Sequence, residues 1–239
     1  MAETFASDAQ IVTGFATAIG HVRTRQEDRL LVAPPIIAVA DGMGGLDAGD
    51  VAAEKMIGEL ESLNLDGSTA GARAEIKRAI SRAERAIGPA SGTTVVGAVL
   101  GLATAKHSWL VFHVGDSRMY SYVDGQLEAL TTDHSLVQEL VDTGVLSREE
   151  ARYDPRRAIV TRAVGASICS EPAFRHVDAE GCILLACSDG ITDELSEWEI
   201  EDIMGGGGSL DDVAQTLVDA ALDASGSDNA TAILARAFV

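Results

Sequence analysis

Hydrophobic residues arrive along this chain in short blocks whose period changes several times. Residues 11–18 and 29–32 read as short strands. Pro34 and Pro35 punctuate a turn, and residues 36–40 form an apolar run that stops at Asp41. Two helices are predicted next. Ala52, Met56, Leu60 and Leu63 recur at helical spacing; Ala72, Ile76, Ala79, Ile80, Ala83 and Ile87 share one face, with Arg73, Lys77, Arg78, Arg82 and Arg85 opposite. Four strand candidates then crowd together at 93–102, 109–114, 119–123 and 126–131, with Asp124-Gly125 as a hairpin signal between the last two. Connections this short favour antiparallel pairing. Residues 132–170 are mixed, with one short helical pattern at Leu136, Val137, Leu140 and Val141. Residues 182–187 read as a buried strand, Leu210, Val213, Ala214, Leu217, Val218, Ala221 and Leu222 as the clearest amphipathic helix, and 231–238 as a final strand. The glycine run 205–208 reads as a loop between two helical segments.

Strands in series, then helices, then strands again predict an α+β fold of layered antiparallel sheets; a doubly wound parallel sheet would alternate strand and helix throughout. No internal repeat or long linker interrupts the 239 residues, so a single domain is expected over 1–239.

Charge changes the picture of partners. The chain has 37 Asp and Glu against 18 Lys and Arg, a formal net charge of −19. That balance argues against general nucleic-acid binding and against docking on anionic membranes, both of which need clustered cations. The charge is uneven: residues 1–120 carry a net −3 and residues 121–239 a net −16, with no Lys or Arg between Arg175 and Arg236. Some of these acids could surround bound cations; composition alone equally allows a solvated acidic surface. Cys169, Cys182 and Cys187 form neither a disulfide framework nor a zinc spacing, and the last two lie in an apolar run as buried thiols. The first ten residues lack the basic and apolar regions of a signal peptide. No apolar stretch approaches the roughly 18 residues of a membrane span. A reducing cytoplasm is the expected location.

Four acids stand at the ends of apolar strands: Asp41, Asp116, Asp189 and Asp228. Each alone is better read as part of a turn, since Asp-Gly and Asp-Asn are common turn pairs. Four together point elsewhere: carboxylates gathered from several strand ends repel unless a cation neutralises them, and all-oxygen ligands suit hard ions such as Mg²⁺ or Mn²⁺. Zinc is disfavoured by the lack of Cys-x-x-Cys and of paired His. The glycine-rich stretch from Asp41 to Gly45 could cradle phosphate, but the dinucleotide fingerprint is not completed and no P-loop follows. Its glycines are expected to free the backbone so that the Gly42 carbonyl turns toward an ion. Arg23, Glu27 and Asp28 form a second cluster, in which Arg23 could grip a phosphate and the carboxylates could hold waters or metal.

The segments Arg23-Thr-Arg-Gln-Glu-Asp28, Ala40-Asp-Gly-Met-Gly-Gly45, Ser91-Gly-Thr-Thr94, Val114-Gly-Asp-Ser-Arg118, Cys187-Ser-Asp-Gly190 and Ser227-Asp-Asn-Ala-Thr231 occur in the order seen in the metal-dependent protein phosphatase (protein phosphatase 2C) family. The chain resembles a compact bacterial member from about residue 14 to 234. The resemblance implies a four-layer αββα sandwich, two central antiparallel sheets flanked by helix pairs. It implies hydrolysis of phosphoserine and phosphothreonine by a metal-activated water. Asp41 would bridge two core ions, Mg²⁺ or Mn²⁺, with the Gly42 carbonyl, Asp189 and Asp228 completing the protein ligands. Asp116, with Asp189, would hold a weaker third ion. Glu27 and Asp28 would act through water at one remove from the ions, and Arg23 would bind the substrate phosphate. Partners would be phosphorylated proteins, including a Ser/Thr kinase, and the chain is expected to be monomeric.

Met43 stands where animal relatives carry a His proposed as general acid. His134 is a candidate replacement, although a structural histidine is the better reading. The resemblance also places residues 132–170 in a flap beside the active site. Five of the seven basic residues of the acidic half lie in it: Arg148, Arg152, Arg156, Arg157 and Arg162. Surface ion pairing with Glu149, Glu150 and Asp154 is expected for Arg148 and Arg152, while Arg156 and Arg157 are expected to form a basic rim that receives phosphopeptide. A pseudophosphatase that binds without turnover is the alternative; the complete acid set favours catalysis.

Overall fold

The computed structural model describes residues 9–44, 48–103 and 106–239; Gly45, the end of the glycine-rich stretch, lies outside them. In chain order the strands are β1 (Gln10–Ala18), β2 (Asp28–Ala33), β3 (Ile36–Met43), β4 (Gly92–Thr93), β5 (Val95–Ala103), β6 (Lys106–Val114), β7 (Arg118–Val123), β8 (Gln126–Ala129), β9 (Val164–Gly165), β10 (Ala173–Asp178), β11 (Ile183–Cys187) and β12 (Ala230–Phe238). The helices are α1 (Gly49–Glu61) and α2 (Thr69–Ile87), then α3 (Leu136–Asp142), α4 (Arg148–Tyr153), α5 (Asp189–Thr192), α6 (Glu197–Gly205) and α7 (Leu210–Ala224). One sheet runs β1-β12-β11-β7-β8. The other runs β10-β6-β5-β3-β4-β9, with β2 on β3. Adjacent strands pair antiparallel throughout, as the short connections predict.

The central strands read as unbroken apolar runs because both of their faces are buried. Along β3, Ile36, Ala38 and Ala40 face α1 and α2, where they meet Met56, Leu60, Ile76 and Ile80. The alternate residues Ile37 and Val39 face the other sheet and pack with Met119, Leu184 and Ile233. The second sheet turns its outer face to α5, α6 and α7 through Leu185, Cys187, Ala232 and Leu234. The period of 2 is therefore present but hidden, since inside and outside are both apolar. Each fully buried Leu, Ile or Met in these three layers contributes about 1.5–3 kcal/mol of transfer free energy. The outcome is the four-layer sandwich, helices–sheet–sheet–helices. On the second side the flanking layer is the long α7 with α6 and the single turn α5, rather than a simple pair.

Local signals account for most boundaries. Asp124 and Gly125 both take positive φ, 51° and 84°, closing a two-residue hairpin with Val123 opposite Gln126. Ser147, Ser196 and Ser209 start α4, α6 and α7 with reciprocal capping boxes to Glu150, Glu199 and Asp212. The glycine run begins inside α6, whose last residue is Gly205, so the loop is shorter than expected. Cys182 and Cys187 are buried and Cys169 is exposed, all as free thiols. Among the described residues, no helix is long and apolar enough to cross a membrane.

Candidate metal centre

The predicted acids come together at one end of the sandwich, along the seam between the two sheets. Asp28 and Asp41 are register partners on β2 and β3. Asp116 occupies the turn between β6 and β7, Asp189 is the first residue of α5 after β11, and Asp228 lies just before β12. These carboxylates feel one another. Burial, then Asp189, Asp28 and Asp116, push Asp41 well above the usual carboxylate range. Asp189 is raised likewise by burial and by Asp116, Asp193 and Asp228. Burial raises Asp116 to about 7, with Asp133 and Asp193 adding to it. Asp189 Oδ1 is buried with no hydrogen-bond partner in the protein. An ionised oxygen in that position is costly unless a cation meets it.

Hydroxyl groups fix the frame. Ser188 and Thr231 both donate to Asp28 Oδ2, at 2.8 and 2.7 Å, and the Ser188 hydroxyl also accepts from the Thr231 amide at 3.1 Å. This ties β2 of one sheet to β11 and β12 of the other. Burial holds Asp28 at about 6, because the two hydroxyl bonds offset only part of the desolvation. Asp41 is held by its backbone: its amide donates to Thr94 Oγ1 at 3.2 Å and its carbonyl accepts from the Thr94 amide at 2.8 Å. Thr94 Oγ1 in turn shares a 2.7 Å bond with Ser117, so the Asp41 strand and the Asp116 turn are locked together. None of these hydroxyls was singled out from sequence, although Thr94, Ser117, Ser188 and Thr231 lie inside the quoted motifs; a buried hydroxyl reads as strand propensity until its partner is known.

The glycines of the two Asp-Gly pairs pack against neighbouring backbone. Gly42 continues β3 rather than turning, and a Cβ there would sit 2.1 Å from the Gly49 carbonyl oxygen. A Cβ on Gly190 would sit 1.9 Å from the Asn229 carbonyl oxygen. Both glycines therefore admit another backbone at close range, and neither Asp-Gly pair is a reverse turn. Gly190→Ala should push α5 away from Asn229, costing about 1–3 kcal/mol or more in urea denaturation and displacing Asp189; an unchanged midpoint would contradict this packing.

The second cluster is also assembled here. Arg23 Nη2 donates to Asp228 Oδ2 at 2.5 Å, with both side chains partly exposed. The Glu27 amide is fixed by Asn229 Oδ1 at 2.8 Å. In the 132–170 segment two of the arginines are paired. Arg156 pairs with Asp154 through two hydrogen bonds of 2.8 Å, and Arg157 reaches Asp193 at 3.3 Å. The ion pair expected of Arg148 and Arg152 with Asp154 is thus made by Arg156, and the rim is partly neutralised. Asp193, four residues after Asp189, was missed by sequence reasoning; it faces the same carboxylates and is raised by burial. His134 is structural: its Nδ1 accepts from the Gly115 amide at 3.1 Å, its ring stacks on His113 at 4.4 Å, and burial lowers it to about 3. A ring so held is neutral and has no proton at Nδ1 to give.

Among the described residues, no three Asp, Glu, His or Cys side chains close on a single point at metal-binding distance. The donor set nonetheless fits hard divalent ions, which take one or two carboxylates, backbone carbonyls and water. The unpartnered Asp189 oxygen and the mutually raised carboxylates are what such an ion relieves.

Residues 23–235 match the family described as protein phosphatase 2C, and the chain belongs to that family. The chain is 36% identical to a serine/threonine phosphatase stp of Listeria welshimeri, over 92% of this chain and 93% of that protein. It is 30% identical to the solved structure of the S. agalactiae serine/threonine phosphatase, with a TM-score of 0.86 and coverage of 95% of this chain and 99% of that one. A PstP catalytic domain solved in complex with two manganese ions is 28% identical, with a TM-score of 0.82 over 97% of this chain and all of that one.

Proposed function

We propose that this chain is a Mg²⁺- or Mn²⁺-dependent protein serine/threonine phosphatase that opposes a bacterial Ser/Thr kinase. The reading rests on one observation above all. A buried carboxylate oxygen without a partner, on Asp189, stands in a cluster where burial and then neighbouring carboxylates raise Asp41 and Asp189 well above the usual range. Family membership and the manganese-bound PstP relative support it. Asp41, Asp189 and Asp228, with the Gly42 carbonyl, would hold two core ions, and Asp116 with Asp193 and Asp189 a weaker third. Such ions supply charge stabilisation at the phosphoryl oxygens and a water acidic enough to attack at neutral pH. Arg23 orients the phosphate with a planar guanidinium already fixed by Asp228. Asp28, gripped by Ser188 and Thr231, keeps the two sheets in register, and Glu27 would act through water. One catalytic domain spans residues 1–239, with 132–170 as its flap, and it acts as a monomer in the cytoplasm.

The test is hydrolysis of a phosphothreonine peptide with Mn²⁺, with EDTA and with Asp41→Asn. Activity only in the first is expected; metal-independent turnover, or full activity of the variant, would overturn the assignment. Arg23→Gln should raise KM by about 10- to 100-fold, the worth of a charged hydrogen bond to phosphate; an unchanged KM would remove Arg23 from that role. Arg157→Glu should raise KM for phosphopeptide more than for a small aryl phosphate. Its effect should exceed that of Arg156→Glu, because only Arg157 faces Asp193. Equal effects on both substrates would remove the flap from peptide recognition.

A further inference from the structure

Behind the turn that carries Asp116 lies a cavity of about 560 Å³, between the edge strand β10 with its neighbour β6 and the 132–170 segment. Val111 and Leu130 give its floor a small apolar area, and the backbone of Phe174 borders it, the Phe174 ring lying on the other face of the sheet under Arg73. One wall is the stacked pair His113 and His134. Their tautomers follow from their bonds. His113 Nε2 lies 2.9 Å from the Thr132 carbonyl and so donates to it, while His134 Nδ1 accepts from the Gly115 amide and so leaves its proton on Nε2. That Nε2–H meets no acceptor among the described residues.

Arg162 lines the same space. Among the described residues it makes no ion pair, and its one hydrogen bond is a long 3.5 Å contact to the Glu171 carbonyl. The other charged walls are spoken for or lie opposite. Asp133 is clamped by Arg118 at 2.8 and 2.7 Å, and Arg175 is held by Glu128. Asp142 takes the Gln138 amide, and it and Glu139 border the cavity from α3. The space thus offers two free donors, the acids of α3 and a small apolar floor. A ligand with negative charge at one end and an apolar body matches it; a compact polyanion would meet the α3 acids.

We propose that this cavity binds a small organic anion, a carboxylate or phosphate on an apolar or aromatic body, with Arg162 and the His134 Nε2–H as its donors. The site is separate from the acid cluster but shares a wall with it, since His134 and Gly115 exchange two hydrogen bonds, of 3.0 and 3.1 Å, one residue from Asp116.

The test does not depend on turnover, so it stands apart from the phosphatase reading. Full-length Mg²⁺-loaded protein is titrated with phenylphosphonate, with phenylacetate and with uncharged benzyl alcohol, while the imidazole NMR signals of His113 and His134 are followed. Saturable shifts of both histidines are expected with at least one anion, and the stronger of the two identifies the head group. Affinity should fall about tenfold or more in Arg162→Gln, recover in part in Arg162→Lys, and persist in Arg23→Gln. Absence of saturable shifts, equal shifts from benzyl alcohol, shifts that survive in Arg162→Gln, or shifts abolished by Arg23→Gln would overturn the proposal; the last would place the anion at the acid cluster.

Discussion

Replacing Asp189 by Asn should reduce turnover of a phosphothreonine peptide by about a thousandfold or more and yet raise the unfolding midpoint of the metal-stripped protein. Both effects follow from one carboxylate. Its Oδ1 is buried without a hydrogen-bond partner, and its charge faces Asp116, Asp193 and Asp228. Without a cation that arrangement is repulsive, so removing one charge relieves the folded state. With a cation the same carboxylate would be a ligand, and losing it would forfeit several kcal/mol of charge stabilisation in the reaction, worth a factor of ten for each 1.4 kcal/mol. Urea denaturation in EDTA and a peptide assay in Mn²⁺ read the two arms. A variant that loses stability along with activity would mean that Asp189 serves packing rather than metal.

The second large effect is a stability that falls with rising pH in the absence of metal. Asp28 and Asp116 titrate at about 6 and about 7 in the fold, and Asp41 and Asp189 are raised as well; the unfolded chain titrates at about 3.9. Between roughly pH 4 and 7 the folded state therefore binds more protons than the unfolded one, and stability declines as pH rises through that window. The loss should be on the order of a few kcal/mol by pH 7. The exposed carboxylates Asp154 and Glu150, lowered by Arg156 and Ser147 respectively, act in the opposite sense and at more acidic pH. Adding Mn²⁺ at pH 7 should restore the loss, by about 2.7 kcal/mol at a hundredfold excess over Kd. Urea midpoints at pH 5 and pH 7.5, with EDTA and with Mn²⁺, give the comparison; a midpoint that rises with pH in EDTA would contradict it.

The parts of this centre that were legible in the sequence are those with a one-dimensional signature. Asp41, Asp116 and Asp189 each close or follow an apolar run, and Asp228 precedes one, so the topology of strands in two sheets was enough to gather them. The fold class was legible for the same reason, through short connections such as Asp124-Gly125. Double-sided burial was harder: β3 reads as a plain apolar run, and only the structure separates Ile36, Ala38 and Ala40 from Ile37 and Val39. Strand β10 was not read at all, because Arg175, His176 and Asp178 dilute a half-exposed edge strand. The hydroxyl lattice of Ser188, Thr231, Thr94 and Ser117 stayed hidden because its bonds span up to 203 residues. Asp193 could have been found, four residues beyond Asp189 on one helical turn. The close approach of Gly190 to Asn229 has no sequence signature beyond the glycine itself.

The central claim is that the acid cluster is a divalent-metal centre. Calorimetric titration of Mn²⁺ into metal-stripped protein at neutral pH tests it most directly, beside the same titration of Asp41→Asn. Saturable binding of at least two ions, with the tight phase lost in the variant, is the predicted result. Binding that is absent, or that is unchanged in Asp41→Asn, would contradict it.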